Sequence, residues 1–241
     1  MVYYDIHTHR PSVNPEDVSI ISVDIRNREM LDNIFPTNAN SSGKDISGHS
    51  GSNNHPDYYS VGIHPWSPDK SLMEKICEYA SLPTVLAIGE TGLDKITAKN
   101  IDDFNIQQEL FTEHIILSEK VEKPLIIHCV KAWEELLRMH KTAKPLMPWI
   151  IHGFKGKAVL AEQLLNAGIY LSFGVTHNTD SLKAAWDKQR VFAETDDTNA
   201  DIRDIYKDIA NKLNISTEEL SVESETLFNT IINDFPKSDP H

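Results

Sequence analysis

The sequence predicts a parallel α/β barrel of the TIM (β/α)8 type, slightly degenerate because the first crossover helix is shortened or missing. Eight short β-rich runs alternate with helical stretches, the arrangement that gives a parallel sheet with right-handed crossovers. Most of the runs are continuously apolar, as in strands covered on both faces. The 241 residues suit one barrel of roughly 250, so residues 1–241 are expected to form a single domain.

The first strand, Val2–Ile6, leads into His7 and His9. The second, Val18–Val23, follows after only about ten residues that include Pro11 and Pro15. That is near the lower limit for a parallel crossover and leaves no room for a full helix. The segment "PTNANSSGKDISGHSGSNNHPD", rich in Ser, Asn and Gly, reads as a mobile loop near residues 37–55, ahead of the strand Tyr58–Gly62. Strands at Thr84–Gly89 and Pro124–Ile127 flank "IQQELFTEHIILSEKVEK". In that stretch Leu110, Phe111, His114, Ile115, Leu117 and Val121 lie on or near one helical stripe. "AWEELLRMHKTA" precedes the strand Trp149–Ile151. "KAVLAEQLLNAG", with Gly168 as a natural helix stop, precedes Ile169–Phe173. Val191–Ala193 is the last strand, and "DIRDIYKDIANKLN" is helical in pattern.

Hydrophobic residues make up 40% of the chain, enough for a sizeable core, and the mean hydropathy of −0.37 is that of a soluble protein. The N-terminus shows no basic stretch followed by an apolar run, so no signal peptide is expected, and no apolar run is long enough to span a membrane. Cys77 and Cys129 form no metal motif, and two cysteines make no disulfide scaffold at this length; a reducing cytoplasm is the expected setting. The net charge of −13 argues against standing affinity for nucleic acid or anionic membranes. It does not exclude a nuclease, because divalent cations in a site reverse the local field.

The chemistry gathers at the strand ends. His7 and His9 follow the first strand, His64 the third, Glu90 and Asp94 the fourth, His128 the fifth, His152 the sixth, and Glu194, Asp196 and Asp197 the last. In a barrel those ends converge on one mouth, where active sites lie. Residues two apart on a strand point the same way, so His7 and His9 can reach one ion. Imidazoles with carboxylates suit Zn²⁺, Mn²⁺, Fe²⁺ or Co²⁺ better than Mg²⁺, which prefers oxygen. Glu90, with two oxygens, is the candidate bridge between two ions.

Other residues have plainer readings beside functional ones. Asp94 could cap a helix or orient a ligand histidine, and Glu194 is expected to support a strand end through hydrogen bonds. Cys129 should point away from the mouth as a small core residue. Trp66 and Trp149 either line the mouth or pack, and Lys131 either meets a phosphate or stands in solvent. His49, His55 and His177 read as loop residues, and His241 as part of a polar tail.

The motifs "DIHTH", "GIHPW", "AIGETGLD", "PLIIHC", "IHGFKG" and "ETDD" occur in this order over about residues 5–197, and in this the chain resembles the TatD family of metal-dependent hydrolases, amidohydrolase-like TIM barrels. The resemblance implies a deoxyribonuclease with two divalent ions per chain, Zn²⁺ foremost. It implies one ion held by His7, His9, Glu90 and Asp196 and a second held by Glu90, His128 and His152. Asp196 would orient or deprotonate the attacking water, Glu90 would share in the catalytic set, and His64 would lie close by, as a substrate-phosphate contact or a group behind the ligands. Apart from the resemblance, Phe154 and Lys155 lie on the loop after His152 and are candidates to shape the pocket and meet the substrate. DNA or another phosphodiester would be bound transiently, with no membrane, by a monomer. A small amide, lactone or phosphoester on the same centre, or a non-catalytic metal-binding barrel, are the rival readings. The chain departs from the family pattern in its short segment after His9, in Val130 and Lys131 where an Arg and an acidic residue are common, and in Asp197, Thr198 and Asn199. The ligand positions survive these changes, whereas some substrate-contacting groups do not.

Overall fold

The computed structural model describes residues 1–35 and 58–233. The Ser/Asn/Gly-rich segment with His49 and His55, and the tail ending in His241, lie outside the described residues. Eight parallel strands stand in chain order in one sheet: β1 Tyr4–Thr8, β2 Val18–Asp24, β3 Tyr58–Gly62, β4 Val85–Asp94, β5 Leu125–Val130, β6 Trp149–Ile151, β7 Tyr170–Phe173 and β8 Val191–Ala193. The two edges meet just beyond β8. Thr8 bridges Asp196, His9 N donates to Asp196 O (3.1 Å) and Asp196 N donates to His7 O (3.0 Å). This is the expected TIM-type barrel.

The helices are α1 Arg28–Ile34, α2 Met73–Ala80, α3 Ile101–Val121, α4 Trp133–Ala143, α5 Ala158–Asn166, α6 Thr179–Asp187, α7 Ile202–Leu213 and α8 Thr217–Phe228. The connection from β1 to β2, residues 9–17, carries no helix, as its length and prolines require. The longest helix, α3, starts where Asn100 accepts from Asp103 N. It buries Phe104, Leu110, Phe111, Ile115 and Leu117 against the sheet, with Gln107 and His114 on the same face. α5 gives way at Gly168, whose φ of +93° suits a residue without Cβ.

Two apolar layers hold the barrel. Val23, Val61, Ile88, Leu125, Ile151 and Leu171 belong to the larger one, shared with the helices. Ile6, Ile20, Ala87, Ile126, Ile150 and Phe192 form the second, with Phe228 of α8 and Ile231 packed against them. The strand sets in these layers alternate along the chain, as a closed sheet requires.

Three strands run well past their apolar runs. β1 continues through His7 to Thr8, β4 through Glu90 to Asp94, and β5 through His128 to Val130. His7, Glu90, Asp94 and His128 are therefore strand residues rather than residues following strands. Backbone pairing with neighbours, which a polar side chain does not prevent, carries them on. Of these, β1 and β4 also bulge. Between Asp5 and Thr8 three steps of β1 face two of β2, and between Ile88 and Thr91 three steps of β4 face two of β5.

Candidate metal centre

The bulges decide what faces the mouth. On β5, Ile126 lies in the inner layer and His128, two residues on, keeps its direction. Strict alternation from Ile6 and Ala87 would instead present Thr8 and Gly89. The extra residue in each bulge re-aims the strand, so that His7, His9 and Glu90 turn toward the site. At β4 this needs glycine. A Cβ on Gly89 (φ +148°) would strike Ile126 O, and one on Gly92 (φ +140°) would strike His128 O. The peptide between Gly89 and Glu90 is cis.

Glu90 is buried at the centre, and its two oxygens face different partners. Oε2 lies 3.4 Å from His7 Nε2 and 3.7 Å from His9 Nε2. Asp196 Oδ1 stands 3.6 Å from His7 Nε2 and 3.7 Å from His9 Nε2. Oε1 lies 2.8 Å from His152 Nε2, 3.1 Å from His128 Nδ1 and 2.9 Å from His64 Nε2. His7, His9 and Glu90 form one group whose ligand atoms lie within 4.8 Å of one another; His7, His152 and Asp196 form a second, and His64, Glu90 and His128 a third.

The outer ring nitrogens show which atoms are free to ligate. His128 Nε2 donates to Asp94 Oδ2 (3.2 Å), leaving the Nδ1 lone pair toward the cluster. His152 turns Nδ1 toward Glu194 Oε1 (3.6 Å) and its Nε2 inward. Glu194, fully buried, also accepts from Gly153 N. His64 is different. Its Nδ1 accepts from Trp66 N (3.1 Å), so the neutral ring carries its proton on Nε2 and donates to Glu90. His64 therefore reads as a donor to Glu90 beside the cluster.

Charge is concentrated here. Burial works to raise the Glu90 carboxyl, but His152, His128 and His64 hold it well below the usual carboxylate range. Burial likewise works against Asp196, yet the nearby His7 ring and the charge of His152 keep it at about 2. Burial and the neighbouring His152 oppose charge on His7, but Asp196 and Glu90 raise it to about 9. His152 lies well above its ordinary value because Glu90 and Glu194 outweigh its burial. Without a cation, protons on these rings balance the two carboxylates.

The donor set fits metal. His128 Nδ1 and His152 Nε2 face each other at 3.3 Å, so a proton or a cation must separate their lone pairs. Both ring nitrogens of His7 are buried without a hydrogen-bond partner, which is rare in a folded protein. His7, His9, Glu90 and Asp196 could hold one ion, and Glu90, His128 and His152 another.

Of the expected substrate contacts, Lys155 lines the mouth, a cavity of about 840 Å³ that also includes Trp66, Lys131 and Asp197. Phe154 does not. It is 1% exposed and packs among Trp133 and Phe173, because its backbone N donates to Ser172 O and draws the ring into the outer core. Trp149 is a core residue as well, and Trp66 stands at the rim. Asp94 caps no helix: Oδ1 accepts from Ile96 N and Thr97 N of the turn that follows β4, while Oδ2 meets His128 and Trp66. Cys129 is buried, its thiol pushed up to about 12 by burial.

Three supporting residues escaped the motif reading. Asp5, raised to about 7 by burial against the pull of its Thr195 donors, ties β1 to the end of β8. His114 accepts from Ile63 N (3.0 Å) and donates to Leu110 O (2.7 Å), so it braces the residue before His64. Gln107 accepts from Asp94 N and donates to Pro65 O, joining both rims. A polar residue on the apolar stripe of α3 was the available signal for His114 and Gln107.

Fold and donor set together define a parallel (β/α)8 barrel with a histidine–carboxylate cluster of metal-holding type at the C-terminal ends of its strands. The chain belongs to the TatD related DNase family, whose sequence pattern matches residues 4–233. It is 34% identical over 121 residues to a Bacillus subtilis protein named uncharacterized metal-dependent hydrolase YabD, and 32% identical over 128 residues to the 3'-5' ssDNA/RNA exonuclease TatD of a Rahnella species. These matches cover 48% and 51% of the chain, which spans 47% of the length of each relative. Among solved structures, YJJV, a TatD homolog from Escherichia coli, superposes with a TM-score of 0.74 at 17% identity, over 96% of this chain and 98% of that one. A TatD family hydrolase from Entamoeba histolytica has the same TM-score at 16% identity, over 96% and 98%.

Proposed function

We propose that this protein is a metal-dependent phosphodiesterase acting on single-stranded nucleic acid, a deoxyribonuclease that works with two divalent ions, Zn²⁺ first among the candidates. The observation that carries the reading is the division of Glu90: each oxygen serves a separate set of donors. His7, His9, Glu90 and Asp196 would hold one ion, and Glu90, His128 and His152 the other. Bound divalent cations supply Lewis acidity, polarising a phosphoryl oxygen and making water a stronger acid.

The chain's own residues do the rest. Asp196 Oδ1 stands beside His7 and His9, so its carboxylate is placed to orient the attacking water or take its proton. His64 Nε2–H can turn from Glu90 to an oxygen of the substrate. Lys155 and Lys131 place positive charge at the rim of a strongly acidic protein. The cavity of about 840 Å³ suits a strand end better than a duplex, in keeping with the exonuclease name of the Rahnella relative. All the proposed ligands come from one chain, so a monomer suffices, and two unbridged cysteines agree with a reducing cytoplasm.

The acidic surface favours one other reading, a small amide, lactone or phosphoester hydrolase on the same centre. Single-stranded oligonucleotides assayed beside a phosphodiester and amide panel, with each of several divalent metals, separate the two. Cleavage of the oligonucleotide that EDTA abolishes supports the nuclease; activity on the small substrates alone overturns it. Asp196→Ala should abolish turnover while the circular dichroism spectrum stays native. Full activity in that variant would remove Asp196 from the mechanism.

A further inference from the structure

We infer that Trp66 is a stacking platform for a nucleobase next to the bond that is cut, an inference that rests on the nucleic-acid reading above. Trp66 is 62% exposed on the wall of the mouth cavity, an unusual place for the largest apolar side chain. It is also held still. Nε1 donates to Asp94 Oδ2 (2.7 Å), and the residue's backbone N donates to His64 Nδ1 (3.1 Å). The ring meets His64 edge to face, with centroids 4.7 Å apart, and His128 in the same manner at 5.8 Å. An exposed aromatic ring is therefore fixed beside His64 and the candidate ligand His128.

A ring pinned by its own N–H loses little rotamer freedom when a base lies on it. Every base offers a π-face, so such a platform grips single strands with little regard to sequence. It also requires an unstacked base, so it selects single-stranded ends over paired ones. The platform supplements the few cations at the mouth. It would bind the base while Lys131 and Lys155 attend to the backbone.

The test uses the metal-loaded protein with Trp66→Leu, which removes the ring, and Trp66→Phe, which keeps a ring but loses the Nε1 bond. Substrates are an oligothymidylate and the same strand with an abasic nucleotide on either side of the cleaved bond. Trp66→Leu should raise KM for the intact strand about tenfold with kcat within twofold. The abasic strand should cost the wild type a similar factor and cost Trp66→Leu nothing more. Trp66→Phe should keep most of the binding. In a second arm, tryptophan fluorescence should quench on titration with a slowly cleaved phosphorothioate oligothymidylate, and the quench should vanish in Trp66→Leu. If Trp66→Leu matches the wild type on both strands, or lowers kcat equally on both with KM unchanged, the platform is overturned while the nuclease stands. If the wild type binds the phosphorothioate strand with a Trp66-dependent quench yet cleaves none, the platform stands and the nuclease falls. No binding and no cleavage overturns both.

Discussion

His128 and His152, the two histidines that face Glu90 Oε1 from β5 and the end of β6, each have a carboxylate behind them. Asp94 fixes the proton of His128, and Glu194 faces Nδ1 of His152. Such outer partners set the tautomer and the basicity of a ligand. Glu194→Gln should weaken metal affinity roughly 10- to 100-fold, read by competition with a chromophoric chelator, with the fold unchanged. Proton balance gives a second expectation. The folded His7 value of about 9 lies above its ordinary 6.5, so the stability it contributes is fully present below pH 6.5 and is lost as pH rises through 9. Asp5, raised to about 7, acts in the same direction at lower pH. The metal-free protein should therefore melt at lower temperature at pH 9.5 than at pH 6. Metal must displace the ring protons, so its affinity should rise over the same range, with proton release visible when titration calorimetry is repeated in buffers of different ionisation enthalpy. A metal-free melting temperature that climbs from pH 6 to 9.5 would refute this balance. At this scale the residues that gather in the cluster were legible because six short motifs repeat one pattern, a donor in or just after the end of a strand. Phe154 was not legible, since its adjacency to His152 in sequence says nothing of which way its ring turns.

Among the elements, β4 does the most. Its bulge carries Glu90 into the cluster, and its glycines let it lie close against β5. Gly92→Ala would set a Cβ against His128 O at a φ that other residues rarely adopt, at a cost of about 1–3 kcal/mol. The measured result should be a melting temperature lower by several degrees and weakened metal binding, because His128 is the residue pushed. An unchanged melting temperature would show that β4 and β5 can part freely there. The helix α3 matters through two polar residues on its buried face: Gln107 and His114 brace opposite sides of the His64–Trp66 turn. The helical stripe around them was plain in the sequence. Their hydrogen bonds were not, because the partners lie on β4 and after β3, far off in the chain. Strand ends were misjudged for a similar reason: His7 and Glu90 interrupt apolar runs, yet their backbones continue to pair.

For the whole molecule, closure and site are one event. The bridge between Thr8 and Asp196 joins the barrel's edges and places Asp196 beside His7 and His9. Cations held by β1, β4, β5, β6 and the end of β8 would tie together five parts of the barrel that unfold together. Saturating divalent metal should raise the melting temperature, and EDTA should reverse the rise, since a ligand of the folded state alone stabilises it. Asp196→Ala should lose much of this increment while keeping its metal-free melting temperature within a few degrees. An increment equal to that of the wild type would place Asp196 outside the centre. Among the described residues no helix is long and apolar enough to cross a membrane.

The order of strands and helices, the absent first crossover helix and the identity of the donor residues follow from the sequence, because apolar periodicity, chain length and residue type are local properties. Which oxygen of Glu90 faces which histidines, the proton placement that sets His64 apart, the inward turn of Phe154 and the outward indole of Trp66 were decided only by tertiary structure. The physical reason is that each depends on partners only the folded chain brings together: the bulges of β1 and β4 for Glu90, Trp66 N for His64, Ser172 O for Phe154 and Asp94 for Trp66. A bulge changes which side chains face the mouth, and it exists only when the neighbouring strand is there to pair against.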